Sequence, residues 1–146
     1  MTKYISIDPG KCKCGLIFAD LERKIVLQAI VIESKYLVQN IKSFVGKENN
    51  LKVLIGNGTT SNDHAKSLSF LENNLTIVEE KNTTYRSRQR YFEIFPIRGF
   101  KRFLPRDIFL QNINLDAISA LVILEDYLDC KFTLNCDHIS KTWMKQ

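Results

Sequence analysis

No apolar run in this chain approaches the ~20 residues that a bilayer-crossing helix needs. The opening residues, MTKYISID, hold no signal-peptide core, which predicts a cytoplasmic protein. Proline and glycine are few, 3 and 6 in 146 residues, which excludes collagen-like and linker-dominated chains. Cysteine is sparse, at Cys12, Cys14, Cys130 and Cys136, and the spacings C-x-C and C-x5-C lack the C-x2-C knuckle of common zinc ribbons. Four reduced thiols are the default, since a four-cysteine zinc site requires the two ends of the chain to meet. There are no internal repeats.

What is present is ordinary globular material. Hydrophobic residues make up 45 % and charged residues 25 %, which argues against disorder, and 146 residues suit a single domain over 1–146. The net charge is +5, but it is unevenly spread. Residues 1–80 carry ten basic and nine acidic side chains; residues 81–106 carry eight basic and one acidic; residues 107–146 carry three basic and six acidic. The middle block is therefore +7, a local field that points to a polyanionic partner better than the average does.

Apolar patterning predicts strands over Lys3–Asp8, Gly15–Asp20 and Lys24–Ile32, joined by tight turns into an antiparallel meander. A helix follows over Tyr36–Phe44, with Ser34 as N-cap and Gly46 as stop. Leu51–Ile55 is a fourth strand, Asp63–Asn73 a helix burying Ala65, Leu68 and Leu71, and Leu75–Glu79 a fifth strand. A helix runs from about Thr84 to Phe95, Pro96–Arg106 is irregular, and Asp116–Leu128 is a helix with a broad apolar face. The expectation is an α/β fold: a five-stranded mixed sheet, a meander of three strands plus two parallel ones, with helices on both faces.

Acids stand at three notable places: Asp8 ends the first strand, Glu79 and Glu80 end the fifth, and Asp116 opens the last helix. Strand ends and helix starts are where such sheets place ligands. Converging carboxylates suit Mg²⁺ or Mn²⁺, which can serve phosphodiester hydrolysis. Taken singly, each acid has a plainer reading: Asp8 as a turn former before Pro-Gly, Asp116 as a helix cap, Glu79 and Glu80 as solvated charges.

Three segments together resemble one family. I-S-I-D-P-G-K-C-K-C-G-L-I-F-A-D resembles the opening of the YqgF/RuvC group of RNase H-like proteins, whose first strand carries an Asp before Pro-Gly. V-E-E-K-N-T-T resembles the D-E-R-x-T-T segment of that group, and L-D-A-I-S-A-L-V-I-L-E-D-Y-L resembles its final Asp-headed helix. The group is described as Holliday junction resolvases and pre-16S rRNA nucleases, and the likeness runs from about Lys3 to Leu128. It implies an RNase H-like fold and a nuclease in which Asp8, Glu80 and Asp116 are catalytic and hold Mg²⁺ or Mn²⁺, with Glu79 a further ligand. The chain departs from the pattern at Lys81, where the group has Arg, at Leu115, where an Asp is frequent, and in a short G-N-G-T-T-S loop.

The basic block follows the second acid. Lys11, Lys81, Arg86, Arg88, Arg90, Arg98, Lys101, Arg102 and Arg106 are the candidate phosphate contacts. On a helix Arg86 and Arg90 share a face while Arg88 points away. The interleaved Tyr85, Tyr91, Phe92, Phe100 and Phe103 are expected in the core. The G-N-G-T loop lacks the Lys-Ser/Thr ending of a P-loop, and His64 and His138 read as isolated histidines, His64 on the surface. The expected partner is RNA or branched DNA, not a membrane, bound by a monomer or homodimer. The competing readings are a non-catalytic nucleic-acid-binding module on the same scaffold and a structural interaction protein with an accidental basic face.

Overall fold

The computed structural model describes residues 1–111 and 113–134. Its strands are β1 (Lys3–Asp8), β2 (Lys13–Asp20), β3 (Ile25–Glu33), β4 (Leu51–Gly56), β5 (Leu75–Val78) and β6 (Thr133–Leu134). Its α-helices are α1 (Leu37–Val45), α2 (Ser61–Ser67), α3 (Thr83–Ile94), α4 (Arg106–Leu110) and α5 (Asp116–Leu128). One mixed sheet runs in the order β5-β4-β1-β2-β3-β6. The meander is antiparallel, while β4 pairs parallel to β1, β5 to β4 and β6 to β3.

Side chains alternate across a strand, and in β1 the alternation divides two cores. Ile5 and Ile7 face α1, packing with Leu37, Ile41, Val53, Ile55, Leu68 and Leu71. Tyr4 faces the opposite side, with Ile17, Ala19, Leu54 and the α5 residues Ala117, Ile118, Ala120, Leu121 and Leu124. Ser6 and Asp8 share the parity of Tyr4, so Asp8 is turned toward α5. That helix is buried continuously from Ala117 to Glu125, lying between the sheet and α3. Its alanines let backbone approach backbone.

The sheet has six strands, one more than expected. The two-residue β6 has almost no pattern of its own and is recruited by tertiary bonds. The Thr133 amide donates to the Lys24 carbonyl at 2.9 Å. The Phe132 amide donates to Glu125 Oε1 at 2.8 Å, and Arg90 Nη2 donates to the Phe132 carbonyl at 2.8 Å.

Other expectations change locally. The helix expected over Asp63–Asn73 starts earlier and breaks into α2 and a 3₁₀ turn over Ser69–Asn74, with Glu72 at φ 50°. The serines and asparagines of this stretch compete for helical backbone bonds, while Leu68 and Leu71 still reach the core and Ala65 is only half-buried. Ser34 makes no cap bond; its hydroxyl donates to the Gly10 carbonyl at 2.9 Å. The stretch after Pro96 holds a 3₁₀ turn, Gly99–Phe103, and then α4. Of the five aromatics expected inside, Tyr91 and Phe92 are half-buried, whereas Tyr85, Phe100 and Phe103 are exposed.

Cys12, Cys14 and Cys130 are free thiols, while Cys136 and His138 lie outside the described residues. Among the described residues, no helix is long and apolar enough to cross a membrane.

Candidate active site

Asp8 ends the central strand, and both neighbouring strands carry glycine level with it. Gly15 of β2 is its register partner, and Gly56 of β4 follows the Ile7–Ile55 pair by one position. A side chain at Gly15 would place Cβ 2.0 Å from the Asp116 carbonyl oxygen. A side chain at Gly56 would place Cβ 1.7 Å from Glu80 Oε1. One glycine therefore admits the start of α5, and the other admits the Glu80 carboxylate. Each brings an acid toward Asp8.

Glu80 lies just past β5. Its amide donates to Asn57 Oδ1 at 2.9 Å, and the Asn57 amide donates to the Val78 carbonyl at 2.9 Å. The G-N-G loop thus grips the end of β5 and turns Glu80 inward. The preceding Glu79 points outward, its side chain 75 % exposed and 3.6 Å from Lys81 Nζ. At the third position Asp116 is the first residue of α5, not its cap. Leu115 is the N-cap residue, and the Asp116 amide donates to Asn114 Oδ1 at 2.8 Å. With Asn114 serving that amide, the Asp116 carboxylate is not required for capping, and its charge favours the positive helix start.

The electrostatics record the convergence. Burial, then the charges of Glu80 and Asp116, push the Asp8 carboxyl from 3.8 to about 7, with the Ser119 hydroxyl offsetting part of the rise. Burial also raises Glu80, offset in part by the Gly58 amide. Glu80 Oε1 is buried without a hydrogen-bond partner, a costly state for a carboxylate oxygen. Among the described residues, no three His, Cys, Asp or Glu side chains are grouped closely enough to enclose a metal ion. A hard cation such as Mg²⁺ often takes only one or two carboxylates and keeps several waters.

The Asp8 shift makes a stability prediction for protein kept in chelator. The unfolded chain ionises Asp8 near pH 4, whereas the fold holds its proton until about 7. The native state therefore binds more protons across that window, and stability is lost as pH rises through it. Asp8→Asn removes the effect. Urea midpoints should show the variant equal to wild type at pH 4 and more stable at pH 8, by on the order of 1–3 kcal/mol. An equal difference at both pH values contradicts the shift.

The two glycines make a second prediction. Gly56→Ala meets the end of a mobile side chain, so the fold should keep its stability within about 1 kcal/mol while Glu80 is expelled from the site. Gly15→Ala meets backbone and should destabilise by about 2 kcal/mol or more. Thermal unfolding of both variants checks the contrast.

The turn after Asp8 is clamped from below. Ser34 Oγ and His64 Nε2 both approach the Gly10 carbonyl, at 2.9 and 3.1 Å. His64 also lies 4.0 Å from the buried Cys14 Sγ, and Cys14 Sγ lies 3.4 Å from Ser34 Oγ. His64 is thus half-buried against the turn that follows Asp8, contrary to the surface role expected of it. Neither His64 nor Asn57 carries a local sequence signal, since each acts on residues far along the chain.

The basic residues divide sharply. Arg90 is spent internally: its Nε and Nη2 reach the Glu125 carboxylate at 2.9 and 2.8 Å, with side-chain exposures of only 12 % and 8 %. Arg86 forms a two-bonded pair with Asp126. These two arginines, both candidate phosphate contacts, are engaged in ion pairs that fasten α3 to α5. Arg88 faces away from them, as expected. It lies 3.5 Å from Asp107 and lines an open cleft of about 560 Å³ with Lys13, Leu110, Asn114 and Asp116. Lys11, Lys81, Arg98, Lys101, Arg102 and Arg106 are exposed. The Arg106 guanidinium stacks 5.2 Å from the Phe92 ring centre.

No protein-family model matches this chain, and no curated protein matches it.

Proposed function

We propose that this protein is a nuclease of RNase H-like fold that hydrolyses phosphodiester bonds in structured nucleic acid with Mg²⁺ or Mn²⁺. The observation that carries the reading is the convergence of Asp8, Glu80 and Asp116, from three separate elements, into space kept open by Gly15 and Gly56. The meander β3-β2-β1 continued by parallel β4 and β5 agrees with the topology that the resemblance to the YqgF/RuvC group implies.

The donor set fits a hard divalent cation. All candidate ligands are carboxylate oxygens, Asp8 feels the repulsion of two others, and Glu80 Oε1 is an orphan. Asp8, Glu80 and Asp116 do not enclose an ion together as they stand, so one or two of them would hold it with waters completing its shell, and Glu79 would be left outside. A metal bound there would supply a water more readily deprotonated into a nucleophile and charge to stabilise the leaving oxygen. Arg88 and Lys13, beside Asp116 in the cleft, would hold the nucleic-acid backbone on one side of the acids. Asp8 would serve as a ligand in its ionised form, which requires release of the proton that burial and the neighbouring acids favour.

The test uses purified protein on structured RNA and on branched DNA, with chelator, Mg²⁺ or Mn²⁺. Cleavage that requires either metal is expected. No cleavage of any substrate with either metal, alongside retained binding, would instead identify a non-catalytic binding module.

A further inference from the structure

The two most exposed phenylalanines of the chain stand together. Phe100 is 80 % and Phe103 is 91 % exposed, both in the 3₁₀ turn Gly99–Phe103. Leaving two such rings in water forgoes burial worth about 1.5–3 kcal/mol each. In a 3₁₀ turn, residues i and i+3 eclipse, so both rings project from one side. Between them are Lys101 and Arg102, with Arg98 and Arg106 on either flank. From Ile94 to Arg106 the chain contains no acid.

Helix α4 joins this turn to the active-site cleft. Arg106 begins α4; Asp107 pairs with Arg88 at 3.5 Å, and Leu110 lines the cleft with Arg88 and Asp116. A purely apolar surface would suit a protein partner, and a duplex opens its base faces to such rings only at the cost of unstacking, about a few kcal/mol per step. Alternating rings and cations match a polyanion with free π-faces, as in unpaired nucleotides.

We infer that the Gly99–Phe103 turn is a stacking platform on which Phe100 and Phe103 receive unpaired bases of the nucleic-acid substrate while Lys101 and Arg102 hold their phosphates. The inference rests on the nuclease reading for its polyanion. It narrows the substrate to nucleic acid with a single-stranded or splayed segment beside the cleaved bond.

Binding is measured in chelator, so that it does not depend on cleavage, using a fluorescent single strand, a forked duplex and a blunt duplex. Wild type should bind the fork and the single strand more tightly than the blunt duplex. Phe100→Ala/Phe103→Ala should weaken fork and single-strand binding by about tenfold or more and leave blunt-duplex binding within twofold. Phe100→Leu/Phe103→Leu, which keeps apolar bulk, should lose binding similarly, and Phe100→Trp/Phe103→Trp should restore it. Unchanged circular dichroism in all variants is expected of such exposed positions.

Equal binding of all three probes by wild type overturns the proposal, as does an alanine variant that binds like wild type. So does a variant that loses only its affinity for phosphatidylserine vesicles, or only a dimer seen by gel filtration, since the rings then serve a membrane or a second copy. Failure of the nuclease reading has a separate signature: metal-dependent cleavage is absent while discrimination between fork and duplex persists.

Discussion

Asp8→Asn should lower metal-dependent cleavage by more than ~100-fold while leaving nucleic-acid binding in place. Residues that merely support metal ligands already cost about 10–100-fold when lost, and Asp8 sits where two other acids converge on it. Asparagine keeps the shape and removes the charge. The substitution therefore separates chemistry from folding, because the same variant should be the more stable one above pH 7. Activity near wild type would remove Asp8 from the mechanism. Equal loss of cleavage and of binding would show instead that the acid shapes the nucleic-acid surface.

Arg90→Ala has the largest expected effect on stability. Arg90 makes two bonds to the buried Glu125, a third to the Phe132 carbonyl, and a fourth to Glu93 at 3.0 Å. Removing it leaves the Glu125 carboxylate buried with only the Phe132 amide on the same side of the network. Breaking a buried ion pair from one side costs about 3–5 kcal/mol, a large part of the usual stability of a domain. Urea unfolding should show that loss, whereas Arg88→Ala, which removes only an exposed pair at 3.5 Å, should change stability by less than about 1 kcal/mol. Replacing Arg90 and Glu125 together by apolar residues should recover much of the loss, because neither charge is then left unpaired.

Strands in the middle of the sheet were legible because their apolar runs are long and bounded by turn chemistry. The α5 boundaries, Asp116 and Leu128, agree with the expectation because buried periodicity and an acidic start coincide there. The choice of Glu80 over Glu79 came from the resemblance, and strand parity and the Asn57 bond supply a physical basis for it. The block of +7 was legible as charge but not as function. Arg90 looks like Arg88 in sequence, and only the position of α5 makes one a buried strut and the other a cleft residue. The burial of His64 on the Gly10 carbonyl, 54 residues away in the chain, had no local trace.

The sequence by itself determined the class of fold, the order of its main elements and the positions of the acids, because these follow from short-range periodicity, turn residues and charge. Tertiary structure alone decided which charges remain free. A salt bridge, a glycine-sized gap or an exposed ring is a relation between distant segments. Its energy depends on burial and on distances of a few ångströms that no local pattern encodes. So the +7 block became two things: arginines that pin α3 to α5, and an acid-free turn carrying two bare phenylalanines, joined by α4 to the cleft that Asp116 lines.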